Sequence, residues 1–591
     1  MDRIKQFLSI IILSSTILFA TPKDENNSSQ ESNQTKITIY EKISKKLKKG
    51  LSLRNPQIIK NIPNKSILKK YYKKNSYHPL WLEENALNRE KSKKLLKIIS
   101  KDITLLKGGI VSTNNQKLTN QIEQNLTEKK LLDLELRLTS HYYDYLKHAI
   151  YGEIQWRQFS TKLASLKHRK INASWIRYKP DFDLIQLLSQ PNIAQTIKEV
   201  TPKHYGYDEL LYSLQKLYKL KESGGWKQLP SFKRLKLGNS GNMVQLLRER
   251  VIASGDYVEC REKKKIYTKE NNQSNESNSS NENNSSIKEL KIEKDAIFDN
   301  CLNKAIKKFQ HRHGLEVDGI VGKGTQKALN RTVDEKIRTV LLNIDRVKWF
   351  PRTEDKRYVV VNLPEFMLYY IEYGRVLKKL PVIIGDKKHP SPIFSEKISY
   401  VVLNPYWKIP EGIVKREIVP AMIKDPSYLA KHGIEAHSSW NENSPAINLS
   451  GVFWEEYLTD EQRFPYRLMQ PPGPRNALGK IKFKFPNRFA VYLHDTPTRY
   501  LFKKRSRAFS HGCIRLSTPF SLLEIISTFN KDIDLEKAKV RLKGKRKKQL
   551  NIANKLPINI VYLTAGVNAD GELLFREDIY NYDTYQKRSS R

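Results

Sequence analysis

The sequence runs to 591 residues, 39% hydrophobic and 28% charged, with a formal net charge of +44 from 106 basic and 62 acidic side chains. That much apolar material excludes a wholly disordered chain and leaves room for roughly three or four domains at ~150 residues each. The positive charge points to anionic partners, whether nucleic acid, an anionic membrane or an anionic wall polymer. It is spread along the chain with no single basic arm, so a solvated basic surface accounts for it equally well.

The chain opens with Asp2, Arg3 and Lys5, followed by the apolar run FLSIIILSSTILFA at residues 7–20. As a helix that run spans only about 21 Å, short of the ~30 Å bilayer core. Residues 1–21 therefore read as a secretory signal peptide. Cleavage is expected after Ala20, although Leu18 is large for the −3 position; left uncut, the segment anchors the chain to the inner membrane. No cysteine follows the run, which argues against a lipoprotein anchor. Export argues in turn against nucleic acid as the partner.

Residues 22–60 are rich in Asn, Ser, Lys and Gln and read as a disordered tether. Residues 61–230 read as a helical domain without chemistry of its own. Apolar residues recur there at three and four spacing, through Leu95, Ile99, Ile103 and Leu106, then Leu131, Leu134, Leu138, Tyr142 and Tyr145. A last stripe, Leu210, Leu211, Leu214 and Leu217, is stopped by Gly224 and Gly225.

Residues 231–330 predict a small three-helix unit. A turn at residues 238–241 opens a helix carrying Val244, Leu247 and Val251. A second helix carries Leu302, Ile306 and Phe309; turns at Gly314, Asp318 and Gly319 lead to a third that ends near Leu329. Between the first two helices lies a low-complexity insert, residues 262–290, built around NNQSNESNSSNENNSS, which cannot bury a core. Cys260 and Cys301 flank it. A disulfide closing the insert and two free, half-buried thiols both fit that placement.

From Arg357 the apolar period changes to two. Residues 358–363, 366–371 and 376–384 predict strands, with Gly374 in a hairpin turn; later strands are expected at 401–403, 489–493 and 558–564. A long, turn-rich and partly helical excursion fills residues 411–487. Residues 331–577 thus read as a mainly-β domain with a large insertion, and residues 578–591 as a tail. The whole is a multidomain α+β chain: a helical domain, a small three-helix domain and a mainly-β domain.

The strongest chemical signal is AFSHGCIRL, residues 508–516. One Cys260–Cys301 pair would leave Cys513 as the odd thiol. A cysteine nucleophile needs a base or a lowered pKa, and donors for the developing oxyanion. Gly512 permits the tight backbone that turns amides inward, so the amides of His511, Gly512 and Cys513 are the candidate oxyanion hole. Thr518 and Pro519 start a helix next, as cap and first residue. The candidate base is His494, at the end of the strand expected over 489–493. An imidazolium beside a thiol that titrates near ~8.5 lowers it by several units, so His494 and Cys513 are expected to rest as an ion pair. Asp495, or a backbone carbonyl, orients the other ring nitrogen. Two other readings of the same residues stand beside this one: His494, His511 and Cys513 as zinc ligands, for which no fourth ligand motif is evident, and Cys513 as an inert buried thiol.

His494, then fifteen residues, then Ser510, His511, Gly512 and Cys513 resembles the signature of the YkuD-type L,D-transpeptidases. NPYWKIP (residues 404–410) resembles that family's strand and turn before its capping insertion. QPPGPRNALG (residues 470–479), Lys482 with Phe483, and Phe485 to Asn487 resemble the run into its histidine strand. FQHRHGLEVDGIVGKGTQKALN (residues 309–330) is similar to a peptidoglycan-binding type 1 module. The subgroup it looks like is the large periplasmic YcbB type, with a helical scaffold domain, a peptidoglycan-binding domain and a catalytic domain with a capping subdomain. Two departures are the Asn/Ser insert and Ser391-Pro392, where many relatives carry Thr-Pro.

The resemblance implies Cys513 as nucleophile and His494 as acid/base, with Tyr492, Ser510, His511, Gly512 and Arg515 lining the site. It implies peptidoglycan stem tetrapeptides and glycan as partners, no cofactor or metal, and the periplasm of a Gram-negative-type bacterium as the place of action. The expected reaction joins the third residues of two stems through a cysteine thioester. Lys482, Lys484, Arg488 and Arg515 are candidates to hold stem carboxylates, and for the first three a solvated surface position is the plainer reading. Water as acceptor would make the chain a carboxypeptidase or endopeptidase, and a decayed site would leave a wall-binding scaffold.

Overall fold

Helices come first because the N-terminal third places apolar side chains three and four residues apart. The computed structural model describes residues 37–54, 56–203, 206–258, 296–351, 356–459, 462–586 and 588, so the signal segment, the whole low-complexity insert and Cys260 lie outside the described residues. Among the described residues no helix is long and apolar enough to cross a membrane.

The expected tether ends earlier than residue 60. Ile39–Leu51 is a helix whose Ile43, Leu47 and Leu51 are buried, and a reciprocal capping box between Thr38 and Glu41 starts it. Lysines on its other face disguise the stripe as polar sequence. This helix packs into one core with Lys65–Lys74, Arg89–Lys101 and the long helix Glu128–Tyr151. The last expected helix of the domain, Tyr207–Glu222, packs elsewhere: Leu210, Leu214 and Leu217 join Ile337, Val340 and Ile344 of the helix Val333–Val347. The three-helix unit forms as read, from Asn242–Ala253, Asn300–Arg312 and Lys323–Leu329 around Val244, Leu247, Leu302, Ile306 and Phe309.

The β domain is built from β1 Arg357–Asn362, β2 Met367–Glu372, β3 Arg375–Gly385, β4 Phe394–Leu403, β5 Trp407–Lys408, β6 Glu435–His437, β7 Arg467–Gln470, β8 Ile481–Lys484, β9 Leu493–His494, β10 Ala508–Ser510, β11 Ile514–Leu516 and β12 Lys548–Val561. Nine of these form one sheet in the order β10-β3-β11-β9-β8-β4-β12-β1-β2, and an additional β2–β3 pairing closes it on itself. Its inner face carries Val359, Val361, Leu368, Val382, Phe483, Leu493, Ile514 and Ile558, all fully buried. The cap is a separate small unit, with β5, β7 and β6 in a three-stranded sheet and its own core of Ile409, Val419, Trp454 and Leu468.

Three expectations are corrected here. The insertion does not run to residue 487, because β8 at Ile481–Lys484 already belongs to the main sheet. Residues 489–492 are not strand: Ala490 has φ +53°, and only Leu493 and His494 pair. The described part of the tail is packed, with Tyr580 and Tyr582 in the β-domain core and Arg588 ion-paired to the buried Asp345 at 2.9 Å.

Candidate active site

The period-two rule lays out the site. β8, β9 and β11 lie side by side, in the register Phe483–Leu493–Ile514. These three point into the core, so the alternate residues share the opposite face: Lys482 and Lys484 on β8, His494 at the end of β9 after Tyr492, and Arg515 on β11 after Cys513. Lys482 stands directly opposite His494, and Arg515 is paired with His494 from the other side. Cys513 precedes β11, level with Tyr492, whose carbonyl accepts the amide of Ile514 at 3.1 Å.

These residues floor a cavity of about 780 Å³. Its walls come from the loop around His389 and Pro390, from Lys167 and Asn172 of the helical domain, and from Trp407, Ile413 and Arg416 of the cap. Lys167, Lys408, Arg416, Lys482, Arg488 and Arg515 line it, and no Asp or Glu does. A hole with that lining suits an anionic occupant.

The loop at residues 510–513 is braced from inside. Ser510 is buried, and its hydroxyl donates to the Cys513 carbonyl at 2.5 Å while accepting the Gly512 amide at 3.2 Å. Gly512 sits at φ +105° with no close contact to a would-be Cβ, so conformation alone demands glycine there. Of the three expected oxyanion donors, Gly512 is thus committed to Ser510. Among the described residues the amides of His511 and Cys513 carry no hydrogen-bond partner. The His511 ring pairs with Glu417 of the cap and lies 4.7 Å from the His389 ring.

His494 is 4% exposed, and its Nδ1 donates to the carbonyl of Asp495 at 2.5 Å. The Asp495 carboxylate does something else: it accepts the Lys480 amide at 2.9 Å and pairs with Arg499 at 2.6 Å. Burial pushes His494 down to about 3, with the Arg515 charge adding to it and the Asp495 carbonyl opposing. Burial pushes the Cys513 thiol up; the Tyr492 amide and hydroxyl and the charges of Lys482 and Arg515 oppose that rise. Both directions oppose the expected thiolate–imidazolium pair. Desolvation favours the neutral form of each group, the half-buried thiol lies 4.0 Å from the Ala490 carbonyl, and among the described residues no hydrogen bond joins it to the His494 ring.

Tyr492 stacks edge-on against His494 at 5.6 Å and lies beneath the Lys482 ammonium at 3.9 Å. Arg515 donates to the Thr498 hydroxyl at 3.2 Å, and its buried Nε has no partner. Among the described residues no group of three or more His, Cys, Asp or Glu side chains is placed to hold a metal ion. Cys513 is free and Cys301 is disulfide-bonded; the expected pairing with Cys260 falls on a residue outside the described ones. Ser391, noted in the sequence only as a departure from the relatives' Thr-Pro, ties the loop at residues 510–513 to β3. Glu417 ties it to the cap and is not singled out by the sequence: it lies in no motif, and only the fold brings it near Cys513.

Three family models match parts of the chain: a Scaffold domain over residues 66–214, a peptidoglycan binding domain over residues 285–329, and the L,D-transpeptidase catalytic domain of the YkuD family over residues 356–531. A Haemophilus influenzae protein named "Putative L,D-transpeptidase" is 31% identical over 242 residues, 41% of this chain and 47% of the relative. The chain thus spans about half the length of that curated relative. Among solved structures, an L,D-transpeptidase from Mycobacterium smegmatis aligns over 35% of this chain and 58% of its own at 15% identity and a TM-score of 0.16. One from Stackebrandtia nassauensis aligns over 56% and 95% at 13% identity and 0.19. At those scores neither likeness carries an argument.

Proposed function

We propose that this chain, which carries a YkuD-type L,D-transpeptidase catalytic domain behind a scaffold and a peptidoglycan-binding domain, is an exported enzyme that crosslinks peptidoglycan stems through a Cys513 thioester. One observation carries the reading: a free thiol and a buried imidazole open together into a cavity lined by six Lys or Arg side chains and no carboxylate. Peptidoglycan stems are acidic peptides, and the cavity is wide enough for one.

The chemistry follows from the resting state. The sulfur attacks the carbonyl between the third stem residue and its terminal D-alanine, and His494 takes the thiol proton as the C–S bond forms. The Asp495 carbonyl holds Nδ1–H, which leaves Nε2 to accept that proton. A second carbonyl, of Leu478, also favours the protonated ring against its burial. The oxyanion draws on the amides of His511 and Cys513. The C–N bond then breaks, D-alanine's nitrogen takes the proton from His494, and the thioester remains. The side-chain amine of a second stem attacks the thioester and gives a proton to His494. The sulfur leaves and regains that proton, and the two third residues are joined. The peptidoglycan-binding domain holds the glycan near this site, and residues 1–21 deliver the chain to the periplasm.

The test is purified sacculi incubated with wild type and with Cys513→Ala, followed by muropeptide analysis. Crosslinks between third residues are expected with wild type alone. Tetrapeptides trimmed to tripeptides without new crosslinks would assign a carboxypeptidase, and equal profiles for the two proteins would sink the enzyme.

A further inference from the structure

The cavity has a cation whose place in the reaction is not given by the thiol and the imidazole. Lys482 lies on β8, and β8 is two strands from β11, about 9.6 Å at the usual strand spacing. Its side chain crosses that gap over the face of Tyr492, with Nζ 3.9 Å from the ring centroid. Among the described residues Lys482 makes no ion pair; the charged side chains around it are Lys484, Lys408 and Lys547, with the Cys513 sulfur also near. Burial and Lys484 pull it down to about 8, so it is a cation held at a cost without an anion. Arg515 has the same deficit, with a buried Nε that donates to nothing.

The anion that fits is set by the bond being cut. In a stem ending with a D-amino acid directly after the scissile carbonyl, the terminal carboxylate hangs on the atom next to the scissile nitrogen. It must therefore lie within a few bonds of the sulfur, where Lys482 and Arg515 both reach. A stem longer by one residue carries its carboxylate about 3.5 Å further away and puts a neutral amide in its place.

We infer that Lys482, with Arg515, receives the terminal carboxylate of the donor stem, and that Lys482 is the residue that selects donors ending one residue past the scissile bond. The inference rests on the reading of Cys513 as nucleophile. It adds that the donor is recognised through the leaving group, by a specificity-determining lysine outside the His and Cys motif.

The experiment compares two synthetic donors, a tetrapeptide stem with a free terminal carboxylate and the same stem as its terminal carboxamide, on the full chain and on Lys482→Met and Lys482→Arg. Wild type is expected to favour the acid in kcat/KM by roughly ten- to hundredfold, the range of a charge-assisted hydrogen bond. Lys482→Met is expected to bring that ratio near one through a raised KM for the acid alone, and Lys482→Arg to keep most of it. Because both donors use the same sulfur, a change in thiol reactivity cancels from the ratio. A Met variant that slows both donors equally overturns the inference, and so does a wild type that treats acid and amide alike, which decides the matter even if the Met variant does not fold. Mass addition at Cys513 is read in the same samples. Its absence from wild type with either donor would instead overturn the reading of the site as a thioester enzyme.

Discussion

The Ser391 hydroxyl donates to the carbonyl oxygen of Gly512 at 2.7 Å and accepts the amide of Gly385 at 2.9 Å. One buried side chain thus fixes Gly512, the residue before Cys513, to the end of β3. Tyr580 closes the arrangement by donating its hydroxyl to the Gly385 carbonyl at 2.6 Å. The peptide between Gly512 and Cys513 is held by its oxygen, so its N–H points in one direction only.

Removing that hydroxyl leaves a buried amide and a buried carbonyl unpaired, a cost of about 1–3 kcal/mol for each group. Ser391→Ala is expected to lower kcat more than it raises KM, because the loop that presents the Cys513 amide loses its anchor. Ser391→Thr keeps the hydroxyl and is expected to keep most activity. Steady-state rates on a tetrapeptide donor check both; an Ala variant with wild-type kcat would show that the loop is positioned by other contacts.

A thiol raised by burial beside an imidazole lowered by it has a pH signature. A thiol pushed above its ordinary value holds less thiolate at any given pH, and that fraction grows about tenfold per unit until the raised value is reached. Alkylation of Cys513 by iodoacetamide, a neutral probe, is expected to rise steadily from pH 7 to 9 in the folded chain. At pH 8 it should be slower than in urea-unfolded chain. A plateau already present at pH 7 would mean that His494 and Cys513 rest as an ion pair after all.

How much of this was open to a sequence reader varies by residue. Phe483, Leu493 and Ile514 are apolar residues flanked by polar ones, and that alternation was visible; from it the shared face of Lys482, His494 and Arg515 followed once the strands were paired. The pairing itself was hidden, because β9 and β11 are parallel and twenty residues of non-adjacent chain separate Leu493 from Ile514. Residues 489–492 read as strand because Val491 and Leu493 alternate with Ala490 and Tyr492, yet Ala490 at φ +53° bends the chain out of the sheet. The ion pair was read from the identities of His494 and Cys513 alone. Burial decides their charges, and burial belongs to the cap and the loops around the cavity, which no local pattern encodes. The helix Ile39–Leu51 was missed for a simpler reason: its apolar stripe is narrow, and composition outweighed period.

Arg588, near the end of the chain, is tied into the fold. Asp345 is fully buried, 2.9 Å from Arg588 and 3.7 Å from Lys348, and accepts the Glu153 amide at 3.0 Å. Burial pushes its carboxyl up, and the charges of Arg588 and then Lys348 more than reverse the effect. Arg588→Ala leaves a buried carboxylate short of its main partner, a loss of about 3–5 kcal/mol, and is expected to lower the unfolding midpoint in urea and by calorimetry. The sign with pH follows from the depressed value. A carboxylate held below its unfolded value adds stability above roughly pH 4 and loses it as the pH falls further. The gap between wild type and Arg588→Ala is therefore full at pH 7 and narrows below pH 4. A gap that stays constant across that range would show that Arg588 acts through packing, for instance its bond to the Thr104 carbonyl at 2.8 Å, and not through the charge of Asp345.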